Sequence, residues 1–190
     1  PMIDMLFLLP GMRGRKLGRL LLDYAVKELN VRFVDVNEEN PAALGFYLHC
    51  NFAVYARSER DGQGRPFPIL HLTRKILETE RLLLRELTPE DFDAVAAMLR
   101  NPRVMRAWER TFSDDEIRSW IERHGEFYRE YGYGYWLAVD KTSGDAVGQI
   151  GLLPEDIEGR KHLGVGWMLA ETHWHRGYAV EGARGCLDYA

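Results

Sequence analysis

Two stretches of this chain set glycines beside cations where a short apolar run gives way to an amphipathic helix. The first is Leu6-Phe7-Leu8-Leu9-Pro10-Gly11-Met12-Arg13-Gly14-Arg15-Lys16-Leu17-Gly18. The second is Gly166-Trp167-Met168-Leu169 followed by His173-Trp174-His175-Arg176-Gly177-Tyr178-Ala179. A helix opened by such a turn leaves its first N–H groups unpaired at the positive end of its dipole. Glycine lets a ligand approach the main chain, and Arg or Lys adds full charge. The construction suits a diphosphate.

The formal net charge of −4 argues against nonspecific nucleic-acid binding, because such domains carry a basic excess. The cations are unevenly spread: Arg13, Arg15, Lys16 and Arg19 fall within seven residues, a local anion site on an acidic protein. The two cysteines, Cys50 and Cys186, lie far apart in apolar surroundings, which predicts buried thiols in a reducing, cytoplasmic setting. No run reaches the ~20 apolar residues of a membrane span, and Met2 to Pro10 lacks the basic leader of a signal peptide. His162, His173 and His175 have no Cys or carboxylate partners at metal-ligand spacing, so no metal is expected. The chain opens at Pro1 and stops at Ala190 inside a helical pattern, so a segment of something longer is expected.

The elements that would position these turns follow from periodicity. Ile3 to Leu9 reads as a buried strand, Arg15 to Leu29 as a helix and Val31 to Val36 as a strand. Asn40-Pro41 starts a helix to about His49, with Asn51 as a left-handed exit. Strands at Phe52–Arg57 and Phe67–Arg74 flank the turn Asp61-Gly62-Gln63-Gly64. Near Ile76 the pattern restarts, with a strand at Thr79–Leu87 and a helix from Thr88-Pro89 to about Arg100. Ser113-Asp114-Asp115-Glu116 is a capping box for a long helix to about Glu130. Strands at Tyr135–Asp140, Ala146–Leu153 and Lys161–Leu169 are joined by the turns Ser143-Gly144 and Glu158-Gly159, and a last helix starts near Gly177.

This order and these turns resemble the GNAT N-acetyltransferase superfamily, whose Gln/Arg-x-x-Gly-x-Gly/Ala turn between strand 4 and helix 3 binds the acetyl-CoA pyrophosphate. Residues 1–75 resemble the second half of such a domain, from strand 4 to strand 7. Residues 76–190 resemble the first half of another, from strand 1 to helix 3. The second part is closest to the ribosomal-protein-alanine branch, through Glu80-Arg81-Leu82-Leu83-Leu84-Arg85 and Trp174-His175-Arg176-Gly177-Tyr178-Ala179-Val180-Glu181. Two departures stand out. Lys16 occupies the middle-glycine position of the first turn, without glycine's freedom at positive φ. Gly164 occupies the place of a strand-4 glutamate.

The resemblance implies an α/β (α+β) fold with a mixed, mostly antiparallel sheet flanked by helices. Its activity would be acetyl transfer from acetyl-CoA, as co-substrate, to a primary amine, either a protein N-terminus or a small amine. Such transfer needs a deprotonated amine, a polarised thioester carbonyl and a protonated leaving thiolate. Backbone N–H groups at Phe7–Leu9 and Met168–Leu169 are implied for the carbonyl, and Tyr47 as the acid for the thiolate. The implied cofactor contacts are Phe7, Leu8, Arg13, Gly14, Arg15, Lys16, Leu17, Gly18 and Asn40 in the first part. In the second they are Met168, Leu169, His175, Arg176, Gly177, Tyr178 and Ala179. The base stays open among Glu109, Glu38, Glu39 and a water chain. Expected partners are acetyl-CoA and the amine acceptor, with no nucleic acid and no membrane, and a homodimer is allowed.

Two other readings stand beside this one: a non-catalytic acyl-CoA-binding or interaction module, and an inactive fragment of a tandem protein. Unpaired sheet edges are sticky, which favours docking of the two halves in permuted order.

Overall fold

Alternating and helical hydrophobic patterns divide at the restart near Ile76, and the chain folds as two compact units, 1–74 and 75–190. The structure is a computed structural model, and it describes residues 2–3, 5–12 and 14–190.

In the first unit, β1 (Met2–Ile3) pairs parallel with β2 (Phe33–Asn37). β2 and β3 (Phe52–Ser58) each pair antiparallel with β4 (Ile69–Glu78) through its residues up to Arg74. α1 (Leu17–Glu28) and α2 (Pro41–His49) cover one face. There Leu22, Val34, Val36, Tyr47, Phe52, Leu70 and Leu72 form the core. α2 begins as its sequence requires, with the Asn40 side chain accepting from the Ala43 N–H and Pro41 in the first turn. Asn51, at φ 67°, supplies the left-handed exit.

The expected strand Ile3–Leu9 forms only at its start. Asp4 lies outside the described residues, and no strand is present from Met5 to Leu9. Among the described residues the ladder with β2 covers two positions, Met2↔Phe33 and Ile3↔Val34. Beyond it Leu6 and Leu8 stay half-buried while Met5, Phe7 and Leu9 are exposed, so the apolar run keeps its alternation without a ladder partner.

In the second unit, Lys75–Glu78 of β4 leads into β5 (Leu82–Glu86), β6 (Tyr135–Asp140), β7 (Ala146–Ile157) and β8 (Arg160–Leu169), all antiparallel. α3 (Phe92–Leu99) and α4 (Asp114–Glu130) pack on one face through Val95, Met98, Leu99, Ile117 and Ile121. α5 (Tyr178–Tyr189) packs on the other, where Tyr178 and Cys186 meet Leu82, Leu84, Trp136 and Ile150. The Ser113 capping box forms as expected, with Ser113 Oγ accepting from the Glu116 N–H. Cys50 and Cys186 are both buried and unbridged. Among the described residues no helix is long and apolar enough to cross a membrane.

The β7–β8 hairpin decides which amides of β8 are available. Glu158 and Gly159 have φ 54° and 76°, the two left-handed residues of a type I′ turn. The flanking pair Ile157↔Arg160 is then hydrogen-bonded, as is every second pair up to Gln149↔Met168. Met168 therefore turns its N–H toward β7, and Leu169 turns its own toward the edge of the sheet.

Candidate functional site

The two glycine-bearing turns share one backbone path. In the first, Gly14 (φ 74°) and Lys16 (φ 62°) are left-handed, and α1 starts at Leu17. In the second, His175 (φ 61°) and Gly177 (φ 81°) are left-handed, and α5 starts at Tyr178. Gly18 and Ala179 thus hold equivalent positions, as their spacing from the turns implied. Each turn spends its glycine at a different left-handed site and fills the other with a non-glycine residue. Neither N-cap, Lys16 or Gly177, makes a side-chain capping bond, so the amides that open both helices have no cap of their own.

In the first unit, a cavity of about 520 Å³ lies beside the turn, lined by Leu8, Lys16, Gly18, Phe46, His49 and Cys50 among others. Gly18 allows the close approach of α1 to α2: a Cβ there would stand 3.4 Å from the Phe46 ring. Of the basic cluster, Arg19 is held by Asp23 at 2.9 Å, and Arg15 Nη1 reaches Met12 Sδ at 3.3 Å. Lys16 lines the cavity. Arg13 lies outside the described residues. Phe7 is 82% exposed, and Leu8 is the member of that pair at the cavity. The Asn40 side-chain oxygen is engaged as the α2 cap, which leaves its NH₂ for other partners. Tyr47 sits in the core with its ring against Phe46 and Phe52, and burial, then Cys50, raises its phenol pKa. Glu38 is taken by Arg57, whose hydrogen bonds hold its carboxyl below the usual range and make it a weaker base.

In the second unit, Trp174 Nε1–H donates to the Leu169 carbonyl at 2.9 Å, tying the end of β8 to the turn. A cavity of about 330 Å³ opens there, lined by Trp108, Trp167, Met168, Leu169, Trp174, His175 and Ala179 among others. Arg81 braces the turn from behind: its guanidinium donates to the Arg176 carbonyl at 3.0 Å and lies 4.5 Å over the Tyr178 ring. Glu181 holds Arg81 in place, accepting from its Nε–H at 2.6 Å, its backbone N–H at 2.7 Å and the Thr79 hydroxyl. Burial works against the Glu181 carboxylate, but those three hydrogen bonds prevail and lower its pKa. Tyr178 turns its side chain inward, donating to Asp140. The sequence reading missed this brace, although Arg81 and Glu181 sit in the two stretches that carry the resemblance.

Gly164, in place of the expected glutamate, is overlain by another one. A Cβ at Gly164 would stand 2.4 Å from Glu155 Oε1, so the carboxylate of Glu155 on β7 occupies the space a side chain there would fill. The Tyr135 hydroxyl likewise lies over Gly166, and burial, then the Glu155 charge, raises its pKa. No motif announces this, because the glutamate comes from the neighbouring strand.

An acetyltransferase (GNAT) domain model matches residues 81–190, more than half of the chain, and an acetyltransferase (GNAT) family model matches residues 2–52. The chain is 36% identical over 114 residues to the uncharacterized protein YkkB of Bacillus subtilis, covering 60% of this chain and 66% of that one. It is 41% identical over 70 residues to the peptidyl-lysine N-acetyltransferase YjaB of Escherichia coli, covering 37% and 48%. Among solved structures it resembles an acetyltransferase from Agrobacterium tumefaciens, with TM-score 0.52 and 31% identity over 60% of this chain and 65% of that one. A putative GNAT-family acetyltransferase from Bordetella pertussis gives TM-score 0.53 and 25% identity over 61% and 72%. The chain spans about half to two thirds of the length of these curated relatives.

Proposed function

Because the chain belongs to the GNAT acetyltransferase family, we propose that it binds acetyl-CoA at its helix-opening turns and transfers the acetyl group to a primary amine. The observation that carries this reading is the shared left-handed–x–left-handed backbone, which leads into uncapped helix amides at Leu17 and at Tyr178. A diphosphate fits such a terminus because the amides and the helix dipole both favour negative charge. The outward-turned Leu169 N–H is the donor we assign to the thioester carbonyl in the second unit. Tyr47, kept protonated by its raised pKa, is the acid for the thiolate in the first. Residues 1–75 are read as the C-terminal half of one such domain and residues 76–190 as the N-terminal half of a second.

The acceptor class is a primary amine on a polypeptide, an N-terminus or a lysine; the likeness to a peptidyl-lysine N-acetyltransferase supports the lysine. Calorimetric titration with acetyl-CoA tests the cofactor, and thiol release over peptide and small amines tests the transfer. No heat at high cofactor concentration overturns the reading. The core position of Tyr47 favours a second reading, a non-catalytic acyl-CoA-binding module, which predicts heat on binding without thiol release.

A further inference from the structure

Three side chains on three different strands of the first unit form one hydrogen-bonded line. His71 Nδ1 on β4 lies 2.7 Å from Asp35 Oδ1 on β2, and His71 Nε2 lies 2.7 Å from Ser58 Oγ on β3. The chemistry fixes the direction of both bonds. A carboxylate only accepts, so Nδ1 carries the imidazole proton; Nε2 is then the lone-pair nitrogen, and the Ser58 hydroxyl donates to it. The line is that of a hydroxyl, a base and an orienting carboxylate, which activates the hydroxyl and stabilises an imidazolium when one forms.

Its place in the fold gives the line an outlet. Val34 and Val36 of β2 and Leu70 and Leu72 of β4 point into the core under α1 and α2. Strand alternation therefore sends Asp35 and His71 to the opposite face, away from the helices that carry the anion turn. The three side chains are half-buried, on the other face of the sheet from the turn. A cofactor gripped on the helix face leaves the opposite face, where the line lies, for the acceptor. The Tyr55 ring of β3, also titratable, lies 6.3 Å from the imidazole.

We propose that Ser58 and His71, oriented by Asp35, take the proton from the acceptor ammonium in the first unit; this rests on the acetyl-transfer reading above. Ser58 Oγ accepts a proton from R–NH₃⁺ as its own passes to His71 Nε2, leaving a free amine and an imidazolium. The amine lone pair attacks the thioester carbonyl carbon; the C–N bond forms and the C–S bond breaks. The departing thiolate takes a proton from Tyr47, which recovers one from the nitrogen of the adduct. The products are the amide, the free thiol of CoA and one proton, which His71 returns to solvent. Asp35 is a positioning residue, and Ser58 and His71 are the catalytic pair.

The test uses the full chain with acetyl-CoA and a lysine peptide, comparing wild type with Ser58→Ala, His71→Gln and Asp35→Asn. His71→Gln should lower kcat by about 100-fold or more, the typical contribution of a positioned base. Acetyl-CoA affinity by calorimetry should stay unchanged, and the acidic limb of the kcat/KM profile should vanish. Asp35→Asn, which preserves shape but reverses the imidazole tautomer, should lower kcat without altering acetyl-CoA binding. Full activity with an intact acidic limb in His71→Gln, or in both milder variants, overturns the relay and leaves the cofactor reading standing. A wild-type chain that binds acetyl-CoA without turnover also overturns the relay, and one that does not bind it overturns both.

Discussion

Arg81 donates to the backbone carbonyl of Arg176 at 3.0 Å, which links the start of the second unit's fold to the turn that opens α5. A trans peptide is planar, with its carbonyl and N–H on opposite sides. Fixing the Arg176 carbonyl toward Arg81 therefore fixes the Gly177 N–H away from it. Arg81→Gln should weaken acetyl-CoA binding about tenfold, or about 1.4 kcal/mol, in calorimetry. Wild-type affinity in a folded variant would show that the turn holds its shape unaided.

Lys16 poses the opposite question, because a residue with a Cβ holds φ 62° where Gly177 holds φ 81°. The left-handed region costs a non-glycine residue roughly 1–2 kcal/mol, and glycine avoids that cost but loses more chain entropy on folding. Lys16→Gly should leave stability unchanged or raise it by up to about 1 kcal/mol in urea unfolding, yet weaken acetyl-CoA binding by removing a charge at the turn. Tighter binding would mean that the glycine backbone matters more than the ammonium.

His124 carries a pH dependence. It is buried on α4, its Nδ1 accepts from the Tyr135 N–H at 3.2 Å, and burial, then Arg123, lowers its pKa to about 4. Between about pH 6.5 and pH 4 the unfolded chain holds the proton that the folded one refuses. The His124 contribution is thus full above about pH 6.5 and falls as the pH drops through that window, by about 3 kcal/mol in total. His124→Gln should flatten this part of the stability profile, measured by urea unfolding at a series of pH values.

Arg85 and Asp91 form a buried pair in the second unit, with guanidinium–carboxylate distances of 2.7 and 2.6 Å. The same carboxylate accepts from the Thr88 N–H and hydroxyl and so caps the turn before α3. Removing one partner strands the other charge without water. Asp91→Ala should cost about 3–5 kcal/mol, and the double change Arg85→Met with Asp91→Leu considerably less. Equal losses in both would assign the effect to the lost cap alone.

Local chemistry made most of the elements legible. Ser113-Asp114-Asp115-Glu116 carries its own capping box, and Glu158-Gly159 dictates a type I′ turn, so α4 and the β7–β8 hairpin could be read from a few residues each. The exposed half of the run from Ile3 to Leu9 was not legible, because an apolar run does not show whether a partner strand lies beside it. The two turns were legible as turns into helices from their glycine and cation spacing. That Lys16 would take a left-handed conformation was not, since a lysine has no preference of its own for that region.

By itself, then, the sequence determined most helix and hairpin starts to within a few residues, which turns set glycines beside cations, and which family supplies the pattern. Those are properties of residues within a few positions of one another, where capping, periodicity and backbone sterics act. The tertiary structure alone decided that Arg81 stands behind Gly177, that Glu155 covers Gly164, and that Asp35, His71 and Ser58 meet in one line. Each depends on strand register, which a long-range ladder sets and no short stretch encodes.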